Sequence, residues 1–203
     1  MPKTISAFTA AVAATITLLL VIVLGLSSLS FDVAISQHFS QWRAAQPNAV
    51  RLMVLFTDLG GSQFLLPLAL VAGLAAAWRR RFADAMLLAA TVIGGRLLIE
   101  GMKIAFARPR PAFDAHPVTT FSLSFPSGHA GNAMVTYLAI ALFALPPRWR
   151  APGAAGAILL SLAIGATRPL LGVHWPTDVL GGWLFGLAWV WLCAEAGRRF
   201  TAS

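Results

Sequence analysis

Three short polar clusters interrupt an otherwise apolar chain: Lys103 with Arg110-Pro111, then Pro126-Ser127-Gly128-His129, then Arg168 with His174 and Asp178. Their residue types suit the gripping and cleavage of a phosphoryl group. Lys103, Arg110 and Arg168 offer positive charge to its oxygens. Ser127 adds a hydroxyl, and Gly128 lets backbone N–H groups come close to an anion at the positive end of a helix that starts here. His129 titrates near neutrality and suits proton transfer to a leaving group. His174 precedes Asp178 by four residues. A carboxylate on one imidazole nitrogen fixes the tautomer and leaves the other nitrogen free as nucleophile or base. Each cluster also has a plainer reading: Ser127-Gly128 as helix capping, and Asp178 as a first-turn acid that complements a helix dipole.

Such residues act together only if the elements carrying them end at one surface. The chain has 203 residues, of which 58% are hydrophobic and 11% charged, with a mean hydropathy of +0.77. That composition lies outside the range of soluble domains and predicts one polytopic, all-α membrane domain over residues 1–203. A helix crosses a hydrocarbon core of roughly 30 Å with about 20 apolar residues. Six segments approach that length: 6–27, 62–78, 83–102, 129–146, 151–167 and 177–196. The first, after Lys3, also resembles a signal peptide, but its length and the lack of an A-x-A site favour a retained helix.

A net charge of +8 raises the question of nucleic acid, which the distribution of charge answers. Arg79-Arg80-Arg81, Arg148 with Arg150, and Arg198-Arg199 lie between or after apolar spans. Six crossings put all of them on the cytoplasmic side together with Lys3, as the positive-inside rule requires. The same count places 28–61, 103–128 and 168–176 on the extracytoplasmic side, and these stretches hold the three polar clusters. Cys193 has no second cysteine to pair with and reads as a packed small residue.

The remaining features have structural readings. Residues 28–61 mix Phe31, Val33, Ile35, Phe39 and Trp42 with Asp32, Gln37, His38 and Arg43, which predicts a partly helical interfacial segment, either a cover over a lipid route or a packing cap. His38 reads as a surface residue. Arg96, Glu100 and Lys103 share a helical face, and Arg96 with Glu100 reads as an interior ion pair, since a lone charge in lipid is costly. Gly182 and Gly186 have the spacing that lets another helix approach closely.

The spaced motifs resemble those of the type 2 phosphatidic acid phosphatases, whose signature runs K-x6-RP, PSGH and SR-x5-H-x3-D. Lys103 is followed after six residues by Arg110-Pro111, PSGH is Pro126 to His129, and Arg168 leads by the signature spacing to His174 and Asp178. Thr167 stands where the signature has serine, which puts one hydrogen bond in question. The resemblance implies a helical core of the kind shared with vanadate-dependent haloperoxidases, and a membrane lipid phosphatase without metal or cofactor. It further implies that His174 forms a phosphohistidine held by Asp178, that His129 is the general acid, and that Lys103, Arg110, Ser127, Gly128 and Arg168 bind phosphate. Arg108 then contacts a second phosphate or headgroup, or is a solvated loop charge. Undecaprenyl diphosphate, phosphatidylglycerol phosphate and phosphatidic acid are the substrates in view, at the inner membrane with the site facing outward. A lipid phosphotransferase using the same intermediate is the alternative. A lipid transporter fits less well, because it needs polar groups at the bilayer midplane.

Overall fold

The computed structural model describes residues 30–118 and 122–200, together with Leu20 and Ile22; the side chains of residues 199 and 200 are not described. The expected span 6–27 therefore lies outside the described residues, apart from those two positions.

The described chain is helical and without strands. Its α-helices are α1 (Ser30–Ala45), α2 (Pro47–Thr57), α3 (Ser62–Trp78), α4 (Phe82–Phe106), α5 (Gly128–Ala139), α6 (Pro147–Leu170) and α7 (Pro176–Phe200). A 3-10 turn, Asp58–Gly60, joins α2 to α3, and a π turn, Ile140–Ala144, prolongs α5. Four stretches are long and apolar enough to cross a membrane: Pro47–Trp78, Phe82–Phe106, Pro147–Leu170 and Pro176–Arg198; Gly128–Ala144 is a shorter apolar helix. Five of the six expected spans thus stand as helices. The second is longer than expected. It begins at Pro47 and not at residue 62, because Val50 to Phe56 forms a helix that runs on through the turn.

Helix α5 is central. Ala130 to Thr136, Leu138 and Ala139 are all buried, so it is enclosed around most of its circumference and packs against α4, α6 and α7. Small residues permit that crowding. A Cβ at Gly182 would lie 2.8 Å from the Ser127 carbonyl oxygen, and one at Gly186 would lie 2.7 Å from Met134 Cβ. The Gly182–Gly186 pair therefore seats α7 against α5 of the same chain. Outward faces carry exposed Leu70, Val71, Leu74, Met86, Ile93, Leu97, Ile104 and Leu159, as a lipid-facing surface does.

The antiparallel order brings the C-terminal ends of α4 and α6 to the N-terminal ends of α5 and α7. At the opposite end Arg81 donates to the carbonyls of Ala144 (2.9 Å) and Phe143 (2.8 Å), closing the exit of α5. There α4 also begins with Asp84 in its first turn, bonded to Arg81 at 2.9 Å.

Candidate functional site

Helix α4 ends at Ala107, whose left-handed backbone (φ 47°) sends its N–H to Lys103 O. A non-glycine residue there costs about 1–2 kcal/mol, and the bend turns the next residue, Arg108, inward. Helix α5 opens at the Ser127 N-cap position, yet the Ser127 hydroxyl makes no capping bond. It is buried and without a partner among the described residues, as is Arg168 Nε. Capping is thus excluded as the use of that hydroxyl. Arg168 lies in the last turn of α6, where a cation complements the dipole, and Asp178 lies in the first turn of α7.

These ends converge on a cavity of about 230 Å³. Lys103, Arg110, Gly128, His129, Arg168 and His174 all line it. Ser127 is buried beside them at the head of α5, and Asp178 sits behind His174. All eight residues singled out by spacing are therefore brought together.

The His174 imidazole is oriented at both nitrogens. Arg110 Nη1 lies 3.1 Å from Nε2, and a guanidinium can only donate, so Nε2 bears the lone pair. The proton is then on Nδ1, which faces Asp178 Oδ2 at 3.4 Å and the Ser124 hydroxyl at 3.4 Å. Burial, followed by the charges of Arg110, Arg168 and Lys103, pushes the His174 pKa well below its ordinary 6.5. Nε2 is thus unprotonated, with its lone pair directed at the Arg110 guanidinium in the cation-lined cavity. This is what an imidazole nucleophile needs.

Asp178 is saturated with donors. Oδ2 accepts from Trp175 N–H at 2.8 Å and from the Ser124 hydroxyl, while Oδ1 accepts from Arg108 Nη1 at 2.8 Å. Arg108 is buried and also donates to Asp32 Oδ2 at 2.8 Å and to Thr177 Oγ1 at 2.7 Å. Asp32, in the first turn of α1, in turn accepts the Thr177 N–H at 3.0 Å. Arg108 is thus neither a solvated loop charge nor a ligand for a second phosphate. Its guanidinium is committed to two buried carboxylates, because an unpaired buried charge there would be costly.

Two further expectations change. Glu100 pairs with Lys103 Nζ at 2.9 Å, whereas Arg96 donates to Ser62 Oγ at 2.6 Å; the anticipated Arg96–Glu100 pair is absent. Thr167 turns its hydroxyl to Ile164 O (2.6 Å) and Thr57 Oγ1 (3.0 Å), and Thr57 also receives Arg168 Nη1 at 3.0 Å. The replacement for the signature serine therefore helps to fix the hydroxyl that anchors Arg168.

A family model described as the PAP2 superfamily matches residues 84–201, more than half of the chain. The chain belongs to the PAP2 superfamily. A curated relative, phosphatidylglycerophosphatase B of Bacillus subtilis (strain 168), is 38% identical over 163 residues, covering 78% of this chain and 79% of the relative. An undecaprenyl-diphosphatase of Sulfolobus acidocaldarius is 28% identical, over 82% of this chain and 78% of its own. A lipid A 1-phosphatase of Rhizobium johnstonii is 39% identical over 49% of this chain and 41% of its own. Among solved structures, the crystal structure of a transmembrane PAP2 type phosphatidylglycerolphosphate phosphatase from Bacillus subtilis superposes with a TM-score of 0.81 and 32% identity, covering 94% of this chain and 96% of that one. This PAP2 protein is accordingly an integral membrane enzyme with an all-helical polytopic fold.

Sequence reasoning missed several PAP2-site neighbours. Ser124, Ser122 and Thr57 hold Asp178, Lys103 with Arg110, and Arg168 respectively. Gly60 reads in the sequence as a turn glycine only, yet a Cβ there would lie 3.4 Å from the His129 ring and closer still to Ile164. The available signal was the density of hydroxyls around PSGH and the Gly60-Gly61 pair. Among the described residues, no group of three His, Cys, Asp or Glu side chains is placed to hold a metal ion.

Proposed function

We propose that this single PAP2 domain releases phosphate from a membrane lipid through a phosphohistidine on His174. His174 Nε2 attacks phosphorus while the bond to the lipid oxygen breaks and His129 protonates that oxygen. His129 then takes a proton from water, whose oxygen attacks phosphorus while the phosphorus–nitrogen bond breaks and its electron pair returns to Nε2. Inorganic phosphate leaves and His174 returns neutral. Lys103, Arg110, Arg168, Ser127 and the Gly128 N–H hold the phosphoryl oxygens as charge builds on them. Asp178 holds the Nδ1 proton and stabilises the charged ring.

The observation that carries this reading is the aim of His174: Nδ1 toward Asp178 and Nε2 toward Arg110, on a cavity lined by cations. The names of the relatives support a phospholipid or polyprenyl substrate, with phosphatidylglycerol phosphate, undecaprenyl diphosphate and phosphatidic acid as the lipids to test. The positive-inside pattern supports the inner membrane, with the cavity facing outward.

The test is phosphate release by the detergent-purified protein in EDTA across those lipids, with His174→Ala as control. Turnover is expected to survive EDTA. It should vanish in His174→Ala while the melting temperature holds within a few degrees. Activity retained in that variant would overturn the nucleophile. Label moving from one lipid to another without free phosphate would make the enzyme a phosphotransferase.

A further inference from the structure

Arg96 is a guanidinium well inside a 25-residue apolar helix. It donates to Ser62 Oγ at 2.6 Å and, among the described residues, meets no carboxylate within ion-pair distance. A cation in a membrane-spanning segment is costly unless it faces a partner or a polar cavity. Arg96 lines the same cavity as the phosphate-facing residues, and so do Ser62 and Asn132. Ser62 opens α3, so the positive end of that helix dipole adds to the guanidinium. Asn132 lies one turn along α5 from Gly128, and its Nδ2, 3.7 Å from where a Gly128 Cβ would be, sits on the Lys103 side of the cavity, since Lys103 Nζ is 3.3 Å from the same point.

We infer that Arg96 and Ser62 form a second anion subsite, which holds a phosphodiester joined through a short spacer to the phosphate that is cleaved. The inference rests on the hydrolase reading and names the substrate class within it. Register sets the spacing: Arg96 and Lys103 are seven residues apart on α4, about 10 Å along the axis. Between them on α4 stands Glu100, a carboxylate bonded to Lys103 Nζ at 2.9 Å, whose charge disfavours a second anionic phosphorus directly beside the first. A spaced phosphodiester passes that carboxylate and reaches Arg96. The acyl chains then meet the exposed apolar surfaces of Ile93, Leu97 and Phe64 on α4 and α3.

The experiment measures kcat/KM of the full chain in detergent on phosphatidylglycerol phosphate, undecaprenyl diphosphate and phosphatidic acid, for wild type, Arg96→Gln, Arg96→Lys and Ser62→Ala. The ratio of phosphatidylglycerol phosphate to phosphatidic acid is expected to fall about ten-fold or more in Arg96→Gln, chiefly through KM, as loss of a charge-assisted contact does. Arg96→Lys should recover most of it, and Ser62→Ala should lower it to a lesser degree. The diphosphate to phosphatidic acid ratio should move less than the first. Equal losses on all three lipids, or a fall confined to the diphosphate, would overturn the inference and leave the hydrolase reading intact. Should Arg96→Gln not fold, an unaltered ratio in Ser62→Ala overturns it. A wild type inactive on all three lipids sinks both.

Discussion

Asp178 receives hydrogen bonds from Arg108, Ser124 and the Trp175 backbone besides facing His174, so its position is set by groups that never touch phosphate. Arg108→Met leaves two buried carboxylates without their shared cation and should cost more than about 3 kcal/mol of stability. Asp32→Asn keeps the size of the side chain, removes the far charge and turns an amide NH2 onto one donor, either the Thr177 N–H or Arg108 Nη2. We expect that variant to fold and to lose roughly 10- to 100-fold in kcat at saturating lipid, because a small misplacement of a reacting group costs that much. An unchanged kcat in a folded Asp32→Asn protein would show that Arg108 holds Asp178 without its second partner. His174 sets a dependence on pH as well. Its folded pKa is depressed, so the unfolded chain binds the extra proton; the stabilisation is whole above about 6.5 and is lost as pH falls toward the folded value. Melting temperature should therefore drop from about pH 7.5 to about pH 5.5, and drop less in His174→Gln.

The helices divide into those whose surroundings tolerate change and those whose surroundings do not. Gly182 faces the Ser127 carbonyl and Gly131 N across the α5–α7 contact, whereas a Cβ at Gly156 of α6 meets nothing within 4 Å. Gly182→Val should destabilise by about 1–3 kcal/mol or more and also reduce turnover, since α5 carries the PSGH segment. Gly156→Ala should be neutral or stabilising by up to about 1 kcal/mol. Thermal melting of the two variants beside wild type checks the contrast. These elements also mark how far sequence reaches. Apolar runs gave away the described spans and motif spacing gathered the site, because both signals are local. The inward turn of Arg108 was hidden, since its partner Asp32 is 76 residues away and no local pattern joins them. The continuation of the second span back to Pro47 is hidden in the sequence because Gly60-Gly61 resembles a break; a 3-10 turn instead carries the chain through. Arg96 was given to Glu100 because i,i+4 pairing is the usual rule, and Lys103, three residues beyond Glu100, takes that carboxylate instead.

Across the whole molecule the two ends have opposite character. One gathers the cavity and the loops after α4 and α6; the other carries Arg79, Arg80, Arg81, Arg148 and Arg150. In a Cys193→Ser background, a cysteine placed at exposed Ala115 should react with a membrane-impermeant maleimide in intact spheroplasts. One placed at exposed Arg148 should react only after lysis. The reverse pattern would turn the cavity toward the cytoplasm and leave the charge distribution unexplained. A further consequence concerns biogenesis. Asp32 reaches Thr177 across 145 positions of sequence, and Ser127 N–H bonds to the carbonyl of Asp178 at 3.0 Å. The first described helix and the last therefore complete one another's polar partners. On the proposed mechanism, a nascent chain still emerging from the ribosome lacks the Asp178 that orients His174, so hydrolysis is expected to start only once the final helix has been inserted beside helices laid down long before it.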